Sequence, residues 1–156
     1  MRPVLFDSDA FRCLHGLRLL DVVCTSLAQR TSIVLTDYVA HHVLNLLQRD
    51  VERLERAGTL RIERLLKGTE AVKRYREFQR PPARGGRPPD KGEAEAVAWA
   101  LDTKASSRAL FVTRDDGARR FAEEQGVPVT DVMGIVVEAC IACALDRSVA
   151  AQALSV

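Results

Sequence analysis

The stretch LFVTRDDGARRFAEEQGVPVTD, residues 110–131, decides the fold class. It begins with a short apolar run and turns, at the adjacent aspartates Asp115 and Asp116, into a segment with helical spacing that stops at Gly126. A second apolar run, 127–129, follows at once. Strand, helix and strand in this order indicate a parallel βαβ unit.

The same alternation of strands and helices extends over the rest of the chain. Apolar runs end at Phe6 and Leu35, and each precedes a segment with helical spacing. The first of these segments covers 17–28, and the second runs from Asp37, which Thr36 can cap, to a stop at Gly58. Further along the chain, the pattern predicts a short strand in 59–66 and a helix in 69–79. Two more helices are predicted, one that begins at Gly92 or Glu93 and one that follows a cap at Thr130 or Asp131. The pattern predicts an α/β fold with a mainly parallel sheet covered on both faces.

The bulk composition is that of a single compact unit. The chain has 156 residues, of which 47% are hydrophobic, so we expect one domain over 1–156. The first residues lack the long apolar stretch of a secretory signal. The late apolar stretch 134–145 is interrupted by Glu138 and is shorter than the roughly 20 residues that span a bilayer. We therefore expect a soluble cytoplasmic protein.

The four cysteines are too few and too irregularly spaced for a disulfide framework. Cys140 and Cys143 form a CxxC, but it lies in an apolar helical run without the further ligands of a zinc site. We interpret them as small core residues. The same apolar run, GIVVEACIACAL, is equally suited to an interface in a homodimer.

Basic residues are concentrated between residues 61 and 91, where ten Lys and Arg stand against four Asp and Glu, a net charge of +6. Because the whole chain has a formal net charge of +2, the remainder carries −4. This segment favours a polyphosphate partner, since contacts from Lys and Arg to phosphates supply most sequence-independent affinity for nucleic acids. The alternative is a solvated helix face beside the Pro/Gly/Arg-rich loop at about 80–92.

Carboxylates follow the predicted strands at equivalent places. Asp7 and Asp9 come after the first strand, Asp115 and Asp116 come after a later one, and Glu93 begins the helix that leads into it. Ligands of open α/β sheets bind beyond the carboxyl ends of the strands. Acids gathered there repel one another unless a cation lies between them, and Mg²⁺ or Mn²⁺ suits oxygen ligands. Such a site cleaves phosphodiesters, and the basic segment makes nucleic acid the expected substrate.

Each aspartate also has a purely structural explanation. Asp7 can end its strand in an Asx turn, and Asp9 can cap a short helix. At the late strand, we expect Asp115 to point into the cleft and Asp116 to act as the simple helix cap.

Two glutamates begin the helix in GEAEAVAWAL. Glu93 shares its side of the helix with Val97 and Ala100 and is the inward-facing candidate, with Glu95 second. The alternative for Glu93 is a capping box with Asp90.

Three segments together resemble the PIN domain: VLFDSDAF (4–11), DKGEAEAVAWAL (90–101) and LFVTRDDGARRFAEEQGVPVTDVMGIV (110–136). The resemblance covers nearly the whole chain. It implies a three-layer α/β/α fold and a Mg²⁺- or Mn²⁺-dependent endoribonuclease, often the VapC-like toxin of a toxin–antitoxin pair. It therefore also implies an antitoxin protein and, frequently, a homodimer as partners.

The resemblance assigns roles by position. Asp7, Glu93 and Asp115 match the family acids that organise the metal, and Thr113 matches a hydroxyl that orders metal-bound water. We expect Asp9 and Asp116 to support the metal. The residues expected to contact RNA phosphate are Arg80, Arg84, Arg87, Lys91 and Arg114.

One position departs from the family pattern. Where PIN proteins commonly carry a glutamate after the second strand, this chain has His42, with His41 beside it. Histidine is a poor ligand for Mg²⁺, so the change implies an altered metal preference, weak catalysis or lost activity. An ordinary pair of helix residues, one partly exposed and one partly buried, is at least as good an explanation.

Two other functional classes are compatible with these features. A non-catalytic PIN-like module that binds RNA or a protein is the first, and His42 motivates it. A receiver-like signalling domain is the second, and it ranks low because the late strand ends in TRDD rather than in the lysine that such domains need.

Overall fold

A computed structural model describes residues 2–80, 88–102, 109–141 and 151. The elements in chain order are β1 (Val4–Phe6), α1 (Ser8–Gly16), α2 (Leu20–Ala28), β2 (Ile33–Thr36), α3 (Asp37–Arg56), β3 (Leu60–Glu63), α4 (Glu70–Phe78), α5 (Lys91–Ala100), β4 (Leu110–Val112), α6 (Asp116–Glu124), β5 (Val129–Thr130) and α7 (Val132–Ile141). The five strands form one parallel sheet in the order β3-β2-β1-β4-β5.

Alternate residues of the strands contribute to cores on opposite faces of the sheet. Val4 and Phe6 face a core built with α1, α2, α3 and α7. Leu5 faces the other side, together with Val34 and Phe111, where α5 and α6 cover the sheet. Because both faces of the sheet are covered at its centre, β1, β2 and β4 are fully buried and almost wholly apolar, as central parallel strands usually are, whereas the edge strand β3 carries Arg61 and Glu63. The result is the predicted three-layer α/β/α fold.

The segment after β1 differs from our prediction. We expected one helix over 17–28, whereas the chain forms α1 and α2 with a turn between them, in which Arg18 has a φ of 58°. The buried stripe of α1 is formed by Ala10, Phe11 and Leu14, which have helical spacing. Asp9 lies in the first turn of α1 and is not its cap, because Asp7 occupies the N-cap position.

The long helix after β2 begins at Asp37 as predicted, and Gly58, at a φ of 69°, follows its end. Thr36 occupies the N-cap position, but its side chain makes no capping hydrogen bond. The helix is kinked at Leu47, where φ and ψ leave the helical range. The cap expected at Asp131 is confirmed, because its carboxylate accepts from the Gly134 N–H at 2.8 Å.

Some predictions fall outside the described residues. Arg84 and Arg87 of the basic loop are among them, and so is Cys143 of the CxxC. In the part of the chain that the structure describes, Cys13, Cys24 and Cys140 are free thiols. No helix among the described residues is both long and apolar enough to cross a membrane.

Phe11 provides a test of the core between α1 and the sheet. Its ring is fully buried and packs edge to face on Phe6, with ring centroids 5.9 Å apart. We expect Phe11→Ala to reduce the free energy of unfolding by about 3–5 kcal/mol, because a buried aromatic ring is replaced by a cavity. Urea denaturation measures this loss. Leu66→Ala, at a side chain that is 68% exposed, is the control and should change the free energy by less than about 0.5 kcal/mol.

Candidate active site

The ends of β1 and β4 meet at the carboxyl edge of the sheet. The N–H of Asp7 donates to the Val112 carbonyl at 2.9 Å, so the pairing of the two strands continues one residue past β1. This brings the Asp7 carboxylate against Thr113, whose hydroxyl donates to Asp7 Oδ2 at 2.9 Å. The Ser8 hydroxyl donates to Asp7 Oδ1 at 3.4 Å. Asp7 is therefore held by its neighbours in an orientation fixed by the sheet.

Thr113 also fixes the residue that follows it. Its side chain is fully buried, and its Oγ1 accepts from the Asp115 N–H at 3.1 Å. One hydroxyl therefore connects Asp7 to the backbone of Asp115. The role predicted for Thr113 was the ordering of water; the observed contacts are with the two aspartates.

Asp115, and not Asp116, is the N-cap of α6, which corrects our prediction for this pair. Asp115 Oδ1 accepts from the Ala118 N–H at 2.8 Å. Asp116 is the first residue of the helix and is exposed. The residue before the first helical one has the extended backbone that lets a carboxylate reach the free N–H groups, so the cap falls one position earlier than expected. Capping uses Oδ1 and leaves Oδ2 of Asp115 for a ligand.

Glu93 forms the capping box that we considered as its structural alternative, and it still lies near the aspartates. Its N–H donates to Asp90 Oδ1 at 2.7 Å, and its Oε2 accepts from the Asp90 N–H at 3.2 Å. Burial, together with the negative charges of Asp90, Asp115 and Asp7, raises the pKa of Glu93 to about 7. The capping box is therefore compatible with a position of Glu93 beside Asp7 and Asp115.

Asp7 experiences the same crowding of negative charge. Burial raises the pKa of Asp7, the hydrogen bond from Thr113 opposes the rise, and the charges of Asp9 and Asp90 add to it. Asp9 itself is 69% exposed and lies 3.5 Å from Arg12. Asp7, Glu93 and Asp115 thus form one electrostatically coupled acidic group, with Asp9 at its exposed margin.

The predicted phosphate contacts lie around this acidic group where they are described. Arg80, Lys91 and Arg114 are exposed. Arg80 and Glu93 line one cavity of about 560 Å³, and Arg120 of α6 lines it as well. Sequence reasoning missed Arg120, although its place one turn after Asp116 in the same helix was a signal that could have found it.

Glu95 and His42 do not join the three acids. Glu95 Oε2 accepts from the Tyr38 N–H at 2.8 Å, so Glu95 lies at the end of β2 instead. Both His41 and His42 are exposed, whereas we considered one of them partly buried. Both lie at the open margin of a cavity beside the start of α3, and each ring nitrogen Nδ1 faces a backbone carbonyl four residues earlier.

The donor chemistry of the acidic group suits a hard divalent cation. Mg²⁺ takes one or two carboxylates directly and keeps several waters, so Asp7 and Asp115 could hold it with Glu93 beside them. Among the described residues, however, no set of three or more His, Cys, Asp or Glu side chains is arranged so that it could hold a metal ion. The site therefore offers suitable oxygen donors rather than a complete coordination shell.

Comparison with solved structures supports this architecture. The structure is similar to a PilT N-terminus domain protein from the hyperthermophilic archaeon Sulfolobus solfataricus P2, with a TM-score of 0.53. The two proteins share a PIN-like three-layer α/β/α fold. The two chains are 14% identical, and the similarity covers 88% of this chain and 92% of the other, so the likeness concerns the PIN fold alone. No protein-family model matches the sequence, and no curated protein does.

The raised pKa of Glu93 makes folding depend on pH. The folded protein holds this proton up to pH about 7, whereas the ordinary pKa is 4.5. Proton binding therefore favours the folded state, and this contribution is complete below pH 4.5 and is lost as the pH rises through about 7. Glu93→Gln keeps the capping box but cannot bind this proton. We expect the free energy of unfolding of this variant to fall less steeply than that of the wild type between pH 4.5 and about 7.

The measurement is urea denaturation in EDTA between pH 4.5 and 7.5, with Glu123→Gln as a control at an exposed position of α6. Some slope should remain in Glu93→Gln, because burial also raises the pKa of Asp7 and of Glu95. Equal slopes for the wild type and Glu93→Gln would contradict the prediction.

Proposed function

We propose that this protein is a metal-dependent endoribonuclease. The observation that carries the proposal is the convergence of Asp7, Glu93 and Asp115 at the carboxyl edge of the sheet, with Thr113 joining two of them. The charges of Asp7 and Asp115 raise the pKa of Glu93, and a bound cation would balance this negative charge. The PIN fold supports the same reading, since the sequence resemblance implies a nuclease.

The residues around the proposed site have different roles in the proposed reaction. Asp7 and Asp115 would hold Mg²⁺ or Mn²⁺, and the bound cation would supply an activated water and charge stabilisation for phosphodiester hydrolysis. Thr113 keeps Asp7 in position, and Glu93 adds a third carboxylate. Exposed cations beside the acids, among them Arg80 and Lys91, would hold the phosphates of the substrate and keep the chain at the acidic edge.

A toxin role with an antitoxin partner belongs to the same proposal. Its structural support is the outer face of α7, on which Met133, Val137 and Ile141 are at least 49% exposed. Large apolar side chains on one exposed helix face suit a protein partner, either an antitoxin or a second copy of this chain.

The second candidate function is a PIN-like module that binds RNA without cleaving it. Two observations favour it: His42 replaces an expected acid, and the described residues provide no complete metal-binding set. Metal-dependent cleavage distinguishes the two candidates.

We expect the purified protein to cleave a mixed RNA pool with Mg²⁺ or Mn²⁺ and not with EDTA. Asp7→Asn and Asp115→Asn should reduce the rate by more than about 100-fold, because cation binding is worth several kcal/mol of transition-state stabilisation. Asparagine at 115 still accepts the capping hydrogen bond, so the fold should be retained.

Glu123→Gln is the matched control and should cleave at the wild-type rate, while Asp9→Asn and Asp116→Asn should cause smaller reductions. In parallel, Mn²⁺ should raise the melting temperature of the wild type and not of Asp7→Asn. Wild-type rates in both aspartate variants would rule out this site, and folded protein without any cleavage would favour the binding module.

The basic residues should determine how RNA affinity depends on salt. We expect the double variant Arg80→Ala and Lys91→Ala to bind single-stranded RNA more weakly and to reduce the slope of log K against log salt by roughly 0.7 for each lost phosphate contact. Fluorescence anisotropy over a series of KCl concentrations measures this slope. Arg30→Ala, at the opposite edge of the sheet before β2, is the control, and an unchanged slope in the double variant would refute the assignment.

A further inference from the structure

A second cavity lies at the carboxyl end of β2, beside the acidic group and separate from it. It has a volume of about 620 Å³, is open to solvent, and is lined by the start of α3, the segment after β3, α4 and α5. This volume is within the usual range for small-molecule sites. Neither Asp7 nor Asp115 lines it, so the proposed cleavage chemistry does not account for it.

Glu95 provides an acceptor in this cavity. Its Oε2 accepts from the Tyr38 N–H at 2.8 Å, which fixes the orientation of the carboxylate. An ionised carboxylate has about four lone-pair positions and no donor. Even with the Thr36 hydroxyl as a further partner beside the Tyr38 N–H, Glu95 retains accepting capacity, and a ligand with paired N–H donors would use it.

Aromatic rings line the cavity beside this carboxylate. Tyr38 and His42 are stacked, with ring centroids 4.3 Å apart and planes tilted by 31°. Gly92 allows this placement, since a Cβ atom there would lie 3.2 Å from Tyr38 Cδ1. The ring of Tyr75 in α4 also lines the cavity; burial raises the pKa of Tyr75, and the nearby Glu95 charge adds to the rise. These rings offer faces on which a planar base can stack.

The rim of the cavity is cationic. Arg64, Lys67 and Arg76 line it. Arg64 Nε donates to Asp37 Oδ1 at 2.8 Å, so this charge is already balanced. Within the described residues, the structure shows no ion pair for Lys67 or Arg76, so both charges are suited to an anionic group on the ligand.

We propose that this cavity binds a guanine base of single-stranded RNA, with the base edge on Glu95, its ring among the aromatic side chains and its phosphate at Lys67 and Arg76. Guanine has N1–H and N2–H donors side by side, which match two carboxylate oxygens. Uracil has one N–H between two carbonyl oxygens, and these would face the negative carboxylate. The inference rests on the proposed function for RNA as the source of the base.

The test is a titration of the protein with nucleotides in the presence of EDTA, in which ¹H–¹⁵N NMR measures the binding affinity. For the wild type, we expect 5′-GMP to bind about 10-fold more tightly than 5′-UMP, since guanine makes a bidentate contact with the carboxylate that uracil cannot make. Glu95→Gln keeps an acceptor for the Tyr38 N–H but presents an amide donor to the base, so it should remove this preference. His42→Ala should weaken the binding of both nucleotides to the same extent, because every base can stack on an aromatic ring.

Glu70→Gln, at an exposed position of α4, is the control and should retain the preference. The dispersion of the NMR spectrum shows whether Glu95→Gln is folded. Equal affinities of the wild type for 5′-GMP and 5′-UMP, or an unchanged preference in folded Glu95→Gln, would overturn the inference.

Oligonucleotides identify the source of the base. A pentanucleotide with a central G among uridines should bind more tightly than both 5′-GMP and the all-uridine pentanucleotide. Tighter binding of free 5′-GMP would overturn the assignment to RNA. EDTA prevents metal-dependent cleavage, so the binding test does not depend on nuclease activity. Guanine binding by a protein that cleaves no RNA with Mg²⁺ or Mn²⁺ would refute the proposed nuclease and keep this inference. RNA cleavage by a protein that binds 5′-GMP and 5′-UMP equally would refute this inference and keep the proposed nuclease.

Discussion

The hydrogen bond between Thr113 and Asp7 joins two residues that are 106 positions apart in the chain, and the acidic group depends on it. It forms because β1 and β4 are neighbours in the sheet and continue their pairing to the Asp7 N–H. The Thr113 hydroxyl then reaches the backbone of Asp115, which caps α6. The start of a helix, the end of a strand and a half-buried carboxylate are therefore held by one side chain.

Most of the fold was predictable from the sequence, because apolar runs and helix stops are local signals. The start of α3 at Asp37 and the caps at Asp90 and Asp131 follow directly from residue types. The division between α1 and α2 could not be predicted, because polar residues in the helix 8–16 obscure the helical spacing of its three buried residues. The kink at Leu47 was also missed, because no proline or glycine marks it.

The candidate site was predictable in its composition and less so in its geometry. The positions of Asp7, Glu93 and Asp115 followed from the rule for the carboxyl ends of strands. The choice of cap between Asp115 and its neighbour depended on a single backbone position, which residue types do not determine. Glu95 was placed second for the metal, and its partner, the Tyr38 N–H, could not be identified without the tertiary structure.

The first turn of α5 has a consequence for how far apart the two sites are. Glu93 and Glu95 are two residues apart, which is about 200° around a helix, and they lie at the ends of different strands. The Asp90 capping box fixes where this turn begins. If one RNA strand occupies both sites, α5 acts as a molecular ruler, and the cut would fall at a constant number of nucleotides from the recognised base.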